Sequence, residues 1–223
     1  MNVMIVGSSG MVGQGVLRAC LRAADVRRIV LPVRKAPAAL PPDPRIELVR
    51  LPDLMQLDAG DARLAGLDAC FFCAGVSSAG MNEADYRKVT LDLTAHTARQ
   101  MAAIQPDMCF VYISGAGADS TEKSKTMWKR VRGETENLLL ASPLKATVFR
   151  PAFILAEEGI RSQTLAYEAM YTVMRPLMRV LGKVLPLDPL TTADIGNAML
   201  QTVRRGDSGQ VLQAKAIQQR ART

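Results

Sequence analysis

The first residues able to do chemistry form one loop, Gly7-Ser8-Ser9-Gly10-Met11-Val12-Gly13, set between a short apolar run and an amphipathic stretch. Amides at a helix start carry unpaired hydrogens and the positive end of the helix dipole, which suits a pyrophosphate. Gly7 permits the sharp turn, Gly10 admits phosphate oxygens and Gly13 lets the helix close on the sheet. Ser8 and Ser9 add hydroxyl donors. No Lys-Ser/Thr pair follows, so this is not a Walker loop. About 20 residues further on, NAD-selective sites carry an acid for the ribose hydroxyls. Here Arg34 and Lys35 stand instead, placed to meet a 2′-phosphate. The expected cofactor is therefore NADP(H), with NAD the lesser candidate.

Other reactive groups are few. The chain has one histidine, His96, which excludes a zinc site built on two or three histidines. His96 lies mid-helix without a paired ligand and reads as a packing or surface residue; no metal is expected. Cys70 and Cys73 form a CxxC on an apolar run rather than at a helix start, which favours core packing over thiolate chemistry. Ser114 lacks a nucleophile elbow, because Tyr112 and not glycine stands two residues before it.

Positioning these groups requires alternating strands and helices. Apolar runs at 2–6, 28–33, 45–51, 69–74, 108–113 and 146–150 predict six strands, with Pro32 making the end of the second irregular. Helical patterns cover 12–23, about 83–104 and 124–141. Nearly continuous apolar strands alternating with helices imply a parallel sheet covered on both faces. Beyond Pro151 the pattern changes: a helix at 162–182 interrupted by Pro176, a helix at 192–205 and a late strand at 210–213. The 223 residues read as one domain, with about 151–223 forming a small cap.

With 48% apolar and 22% charged residues the chain is neither disordered nor collagenous. Its net charge of +7 comes from basic residues scattered along the chain, a solvated surface that would also attract an anionic small molecule. Aromatics are 4% and no nucleic-acid-binding signature is present, so nucleic acid is not an expected partner. No apolar run reaches membrane-spanning length. Four cysteines without disulfide spacing point to a reduced, cytoplasmic protein. Met170, Met174 and Met178 recur at four-residue spacing and read as a core-facing or cap helix; a substrate lid or homodimer face is the alternative.

GSSGMVG at 7–13, CFFCAGVSS at 70–78, ISGAGADS at 113–120, VRGETE at 131–136 and FRPAFIL at 149–155 together resemble the short-chain dehydrogenase/reductase superfamily. The likeness is closest to its atypical NmrA-like and Tat-interacting-protein group, of the NAD-dependent epimerase/dehydratase kind. It implies a Rossmann-like doubly wound α/β fold. It places Cys73, Ala74 and Gly75 beside the adenosine and ribose, with Val89 nearby. Ser114 matches the active-site serine, and Arg150-Pro151-Ala152 the turn at the nicotinamide end. One departure stands out. Trp128 and Arg132 occupy the positions of the catalytic tyrosine and lysine. Tryptophan has no acid–base function near neutral pH, and arginine stays protonated. No YxxxK occurs elsewhere in the chain.

Three readings follow. Another acid, such as Tyr86, Tyr167 or Tyr171, reaches the nicotinamide. Or Ser114, Arg132 and the cofactor suffice to polarise a carbonyl. Or the chain binds NADP(H) without turnover, as a sensor or partner-binding module. The preferred expectation is an NADP(H)-dependent oxidoreductase acting on a small carbonyl or alcohol substrate.

Overall fold

A computed structural model describes residues 1–35, 40–160 and 189–223. Its strands, in chain order, are β1 (Asn2–Val6), β2 (Arg28–Val33), β3 (Ile46–Arg50), β4 (Ala69–Phe72), β5 (Cys109–Ile113), β6 (Lys145–Arg150), β7 (Ile154–Leu155), β8 (Leu190–Thr191) and β9 (Gln210–Gln213). Seven of them form one parallel sheet in the order β3-β2-β1-β4-β5-β6-β9. The strand order reverses between β1 and β4. In open α/β sheets that point opens a crevice at the carboxyl ends of the strands. β7 and β8 pair separately at the edge of the crevice.

Alternation along each strand sends side chains to two cores. Val3, Ile5, Ile29, Leu31 and Phe71 face one layer; Met4, Val6, Val30, Cys70 and Phe72 face the other. The first layer is covered by α1 (Met11–Arg22), and the second by a long helix and by α4 (Met127–Leu140). The long helix comprises α2 (Glu83–Arg87), a π-helical turn (Lys88–Asp92) and α3 (Leu93–Ile104).

Two further helices, α5 (Thr192–Arg205) and α6 (Ala214–Ala221), also pack on the first layer. α5 starts with a reciprocal capping box between Thr191 and Asp194 and stops at Gly206, whose φ of 67° ends it in the left-handed region. It lies very close to α1. A Cβ on Gly15 would sit 2.4 Å from Cβ of Thr192, and one on Gly196 would sit 2.5 Å from Cβ of Ala19. Of the C-terminal region, residues 189–223 thus build sheet and helix layers, with β9 beside β6. The expected helix at 162–182 lies outside the described residues.

The sequence reading and the structure differ at a few places. β2 spans 28–33 as expected, and its end is irregular in one respect: it stays paired with β3 to Val33, while its pairing with β1 stops at Val30. The amide hydrogen that proline lacks falls beyond the β1 ladder, so the strand tolerates it. α6 and the short 3-10 turns at Leu54–Gln56 and Ala62–Leu64 were not expected; each turn is capped by an aspartate side chain, Asp53 and Asp61. No helix among the described residues is long and apolar enough to cross a membrane.

Candidate active site

Gly7 has φ +82°, and a Cβ there would stand 2.6 Å from the Ala74 amide nitrogen. Only glycine satisfies both the left-handed backbone and that approach. Gly10 forms the N-cap of α1 and has no side chain to bond the first-turn amides, which leaves them facing outward. Ser8 is buried, and its hydroxyl has no hydrogen-bond partner among the described residues. A buried, unsatisfied hydroxyl costs free energy unless a ligand completes it. Its position beside uncapped amides fits a phosphate.

The loop opens on a crevice of about 1750 Å³. That exceeds the roughly 300–1,000 Å³ of sites for drug-sized ligands and suits an extended dinucleotide. The crevice gathers nearly all residues singled out by sequence: Gly7, Ser8, Ser9, Gly10, Met11 and Val12 of the loop, Arg34 and Lys35 after β2, and Cys73, Ala74, Gly75 and Val89 line it together. Ser114, Trp128, Arg132, Pro151 and Ala152 line the same crevice. Arg34 and Lys35 are exposed there. Sequence reasoning missed Asp53 and Leu54 in the turn after β3, Val76 to Ala79 after β4, and Phe153. Only the position of these loops, at the carboxyl ends of strands, could have drawn attention to them.

Two expected lining residues stand elsewhere. Gly13 packs beneath the loop, where a Cβ would lie 2.1 Å from the Gly7 carbonyl oxygen. Its role is to let α1 approach its own loop. Arg150 turns away to the fully buried Glu136 carboxylate, donating from Nε at 3.0 and 3.1 Å to its two oxygens, and from a terminal nitrogen to Oε2 of Glu136. The same nitrogen donates to Ser120 Oγ at 2.6 Å. A buried carboxylate needs such a counter-charge, and that demand outweighs the turn position inferred for Arg150. Ser114 also donates its hydroxyl proton to Glu136. Sequence reasoning did not identify Glu136, although Trp128, Arg132 and Glu136 follow one another at four-residue spacing on α4.

Arg132 donates from Nε to the Tyr86 hydroxyl oxygen at 2.9 Å. Tyr86 is 1% exposed and lines the crevice. Ion pairs on either side clamp α2 to α4: Arg130 with Glu83 and Arg87 with Glu134, each at 2.6 Å. No carboxylate among the described residues forms an ion pair with Arg132. The Trp128 ring lies under the Lys129 ammonium, 5.7 Å from it.

Burial pushes the thiols of Cys20 and Cys109 up to about 12, and those of Cys70 and Cys73 also upward. They are protonated near neutrality, so the CxxC supplies no thiolate. His96 engages the Leu57 carbonyl oxygen through Nε2 at 2.9 Å, joining α3 to the first 3-10 turn.

A parallel sheet with a glycine loop at its switch point defines a Rossmann-like α/β protein. Solved structures share the architecture. The Bordetella bronchiseptica enzyme WbmF, in complex with NAD+, superposes with a TM-score of 0.67 at 16% identity, covering 99% of this chain and 76% of that one. An oxidoreductase of the short-chain dehydrogenase/reductase family from Burkholderia thailandensis gives 0.66 at 18% identity, over 96% of this chain and 90% of that one. A putative NAD-dependent epimerase/dehydratase from Bacillus halodurans gives 0.64 at 17%, over 98% and 99%. At these identities the likeness is one of fold. By sequence, the leucinostatins biosynthesis cluster protein T of Purpureocillium lilacinum is 24% identical over 231 aligned positions, covering 91% of this chain and 85% of that protein. No protein-family profile matches the chain.

Proposed function

We propose that this protein is an NADP(H)-dependent oxidoreductase of the short-chain dehydrogenase type, acting on a small carbonyl or alcohol substrate. One observation carries the reading: a single crevice joins the glycine loop and the Ser8 hydroxyl, unpartnered among the described residues, to Arg34, Lys35, Ser114, Tyr86 and Arg132. Several structural neighbours hold NAD, which supports a nicotinamide dinucleotide as the occupant. When bound, it would supply hydride transfer.

Each residue then has a definite task. The α1 amides and Ser8 hold the pyrophosphate. Arg34 and Lys35 hold a 2′-phosphate, and the wall from Cys73 to Gly75 holds the adenosine side. Arg132, without a carboxylate ion-pair partner among the described residues, presents its guanidinium to a substrate oxygen or carboxylate, which favours an anionic substrate.

A second reading, a dinucleotide sensor without turnover, draws on Ser114. Its proton is committed to Glu136, so it offers only lone pairs to the crevice. The chain has one tryptophan, and it lines this crevice. Trp128 emission therefore reports dinucleotide binding directly. NADPH should quench it at lower concentration than NADH, and Arg34→Ala should cut that preference by at least about tenfold, the worth of one charge-assisted hydrogen bond. Equal affinities in wild type refute the NADP assignment. NADPH oxidation with aldehydes, ketones and quinones tests the enzyme; tight binding without turnover on any of them selects the sensor.

A further inference from the structure

The chain has four tyrosines, at 86, 112, 167 and 171. Tyr112 is 2% exposed and does not line the crevice, and burial pushes its phenol up to about 12. Tyr86 does line it, on α2, the helix opposite the one that carries the lost catalytic pair. Its oxygen accepts from Arg132 at 2.9 Å, and its own proton has no acceptor among the described residues. The Ser114 proton belongs to Glu136. Trp128 offers only an N–H that does not ionise near neutrality. The Cys73 thiol is raised by burial, and Asp53 lies in the turn after β3, where its side chain accepts from the Met55 amide at 2.9 Å.

Resting on the reading above, we propose that Tyr86 is the proton donor of this site and that Arg132 positions its phenol. The guanidinium occupies one acceptor direction of the oxygen, which leaves the O–H free to donate into the crevice that Tyr86 lines. During reduction of a carbonyl, the carbon takes up a hydride, both electrons coming from a reduced nicotinamide dinucleotide. The displaced C=O electron pair collects on oxygen. That oxygen forms its new O–H bond with the proton released from Tyr86, and the substrate becomes an alcohol. The phenolate stays beside the Arg132 cation until water returns a proton. The acid has thus moved from α4 to α2, held there by the flanking ion pairs Arg130–Glu83 and Arg87–Glu134.

The test joins a crystal structure of the full chain with NADP+ to kinetics of Tyr86→Phe. In the crystal, Tyr86 Oη should lie within about 5 Å of the nicotinamide C4. A reacting contact near 3.5 Å and a hydrogen bond near 2.8 Å, bent across a carbonyl, leave that reach. Tyr86→Phe should lower kcat by at least about 100-fold, the usual scale for a lost general acid, and leave NADPH quenching of Trp128 within about threefold. Tyr167→Phe and Tyr171→Phe are the rival arms. The proposal is overturned if Oη lies beyond about 6 Å from C4. It is equally overturned if Tyr86→Phe keeps more than about a third of kcat, or if a rival variant carries the loss. Absence of dinucleotide binding in wild type overturns the proposed function itself, whereas binding without turnover on every carbonyl tested selects the sensor and overturns the donor role of Tyr86.

Discussion

Replacing Glu136 by glutamine tests whether the ionic network beneath the crevice is structural as well as local. The Glu136 side chain is 0% exposed and that of its partner Arg150 only 13%, so neither charge is screened appreciably by water. Glutamine keeps the size of the side chain and an acceptor for Ser114, but it leaves the Arg150 cation facing a neutral amide. Removing one partner of a buried pair costs about 3–5 kcal/mol. Arg150 retains its bond to Ser120 at 2.6 Å, which places the expectation at the low end, about 3 kcal/mol. For a chain of this size each kcal/mol moves the melting temperature by about 2–4 °C, so Glu136→Gln should melt roughly 6–12 °C lower. The double variant Glu136→Gln/Arg150→Met removes the stranded cation as well and should recover at least about half of that loss. Calorimetric or circular-dichroism melts of the three proteins measure it. If Glu136→Gln melts within about 2 °C of wild type, the pair contributes nothing and the reasoning fails.

Close packing and burial elsewhere in the fold have two measurable effects. Gly13→Ala would force a Cβ to within 2.1 Å of the Gly7 carbonyl oxygen, so the glycine loop must shift. It should cost about 1–3 kcal/mol in urea unfolding and weaken dinucleotide quenching of Trp128 by more than about tenfold; unchanged affinity would show that the loop does not bind. The buried thiols set an alkaline limit. In the unfolded chain Cys20 and Cys109 ionise near 9.0, whereas in the folded protein they hold their protons to about 12. The folded state binds more protons across that window, so stability is full below about pH 9 and declines above it, by up to about 1.4 kcal/mol per pH unit for each thiol. Denaturation at pH 8 and pH 10.5 should show the decline, and Cys20→Ala should reduce it; identical slopes in the two proteins would refute the assignment.

The glycine loop, the six strands of the first half and the alternation that covers both sheet faces were all legible along the chain. They depend on neighbouring residues: a glycine pattern between a strand and a helix, or an apolar run of five or six side chains. Arg34 and Lys35 were legible for the same reason, as the ends of strands point to the crevice in any sheet of this order. Trp128 and Arg132 were recognisable by spacing on α4, but what they do was not.

Contacts between distant segments decided the rest. The family resemblance put Arg150 at the crevice, yet its side chain serves Glu136, because a carboxylate sealed from water draws the nearest cation. Tyr86 stood among three candidate acids on composition alone; the meeting of α2 with α4 brings its oxygen to Arg132, 46 residues later in the chain. Short-range pattern selects backbone conformation, since hydrogen bonds and apolar periodicity act within a few residues. Which charges and hydroxyls become partners depends on burial, and burial exists only once the layers have closed.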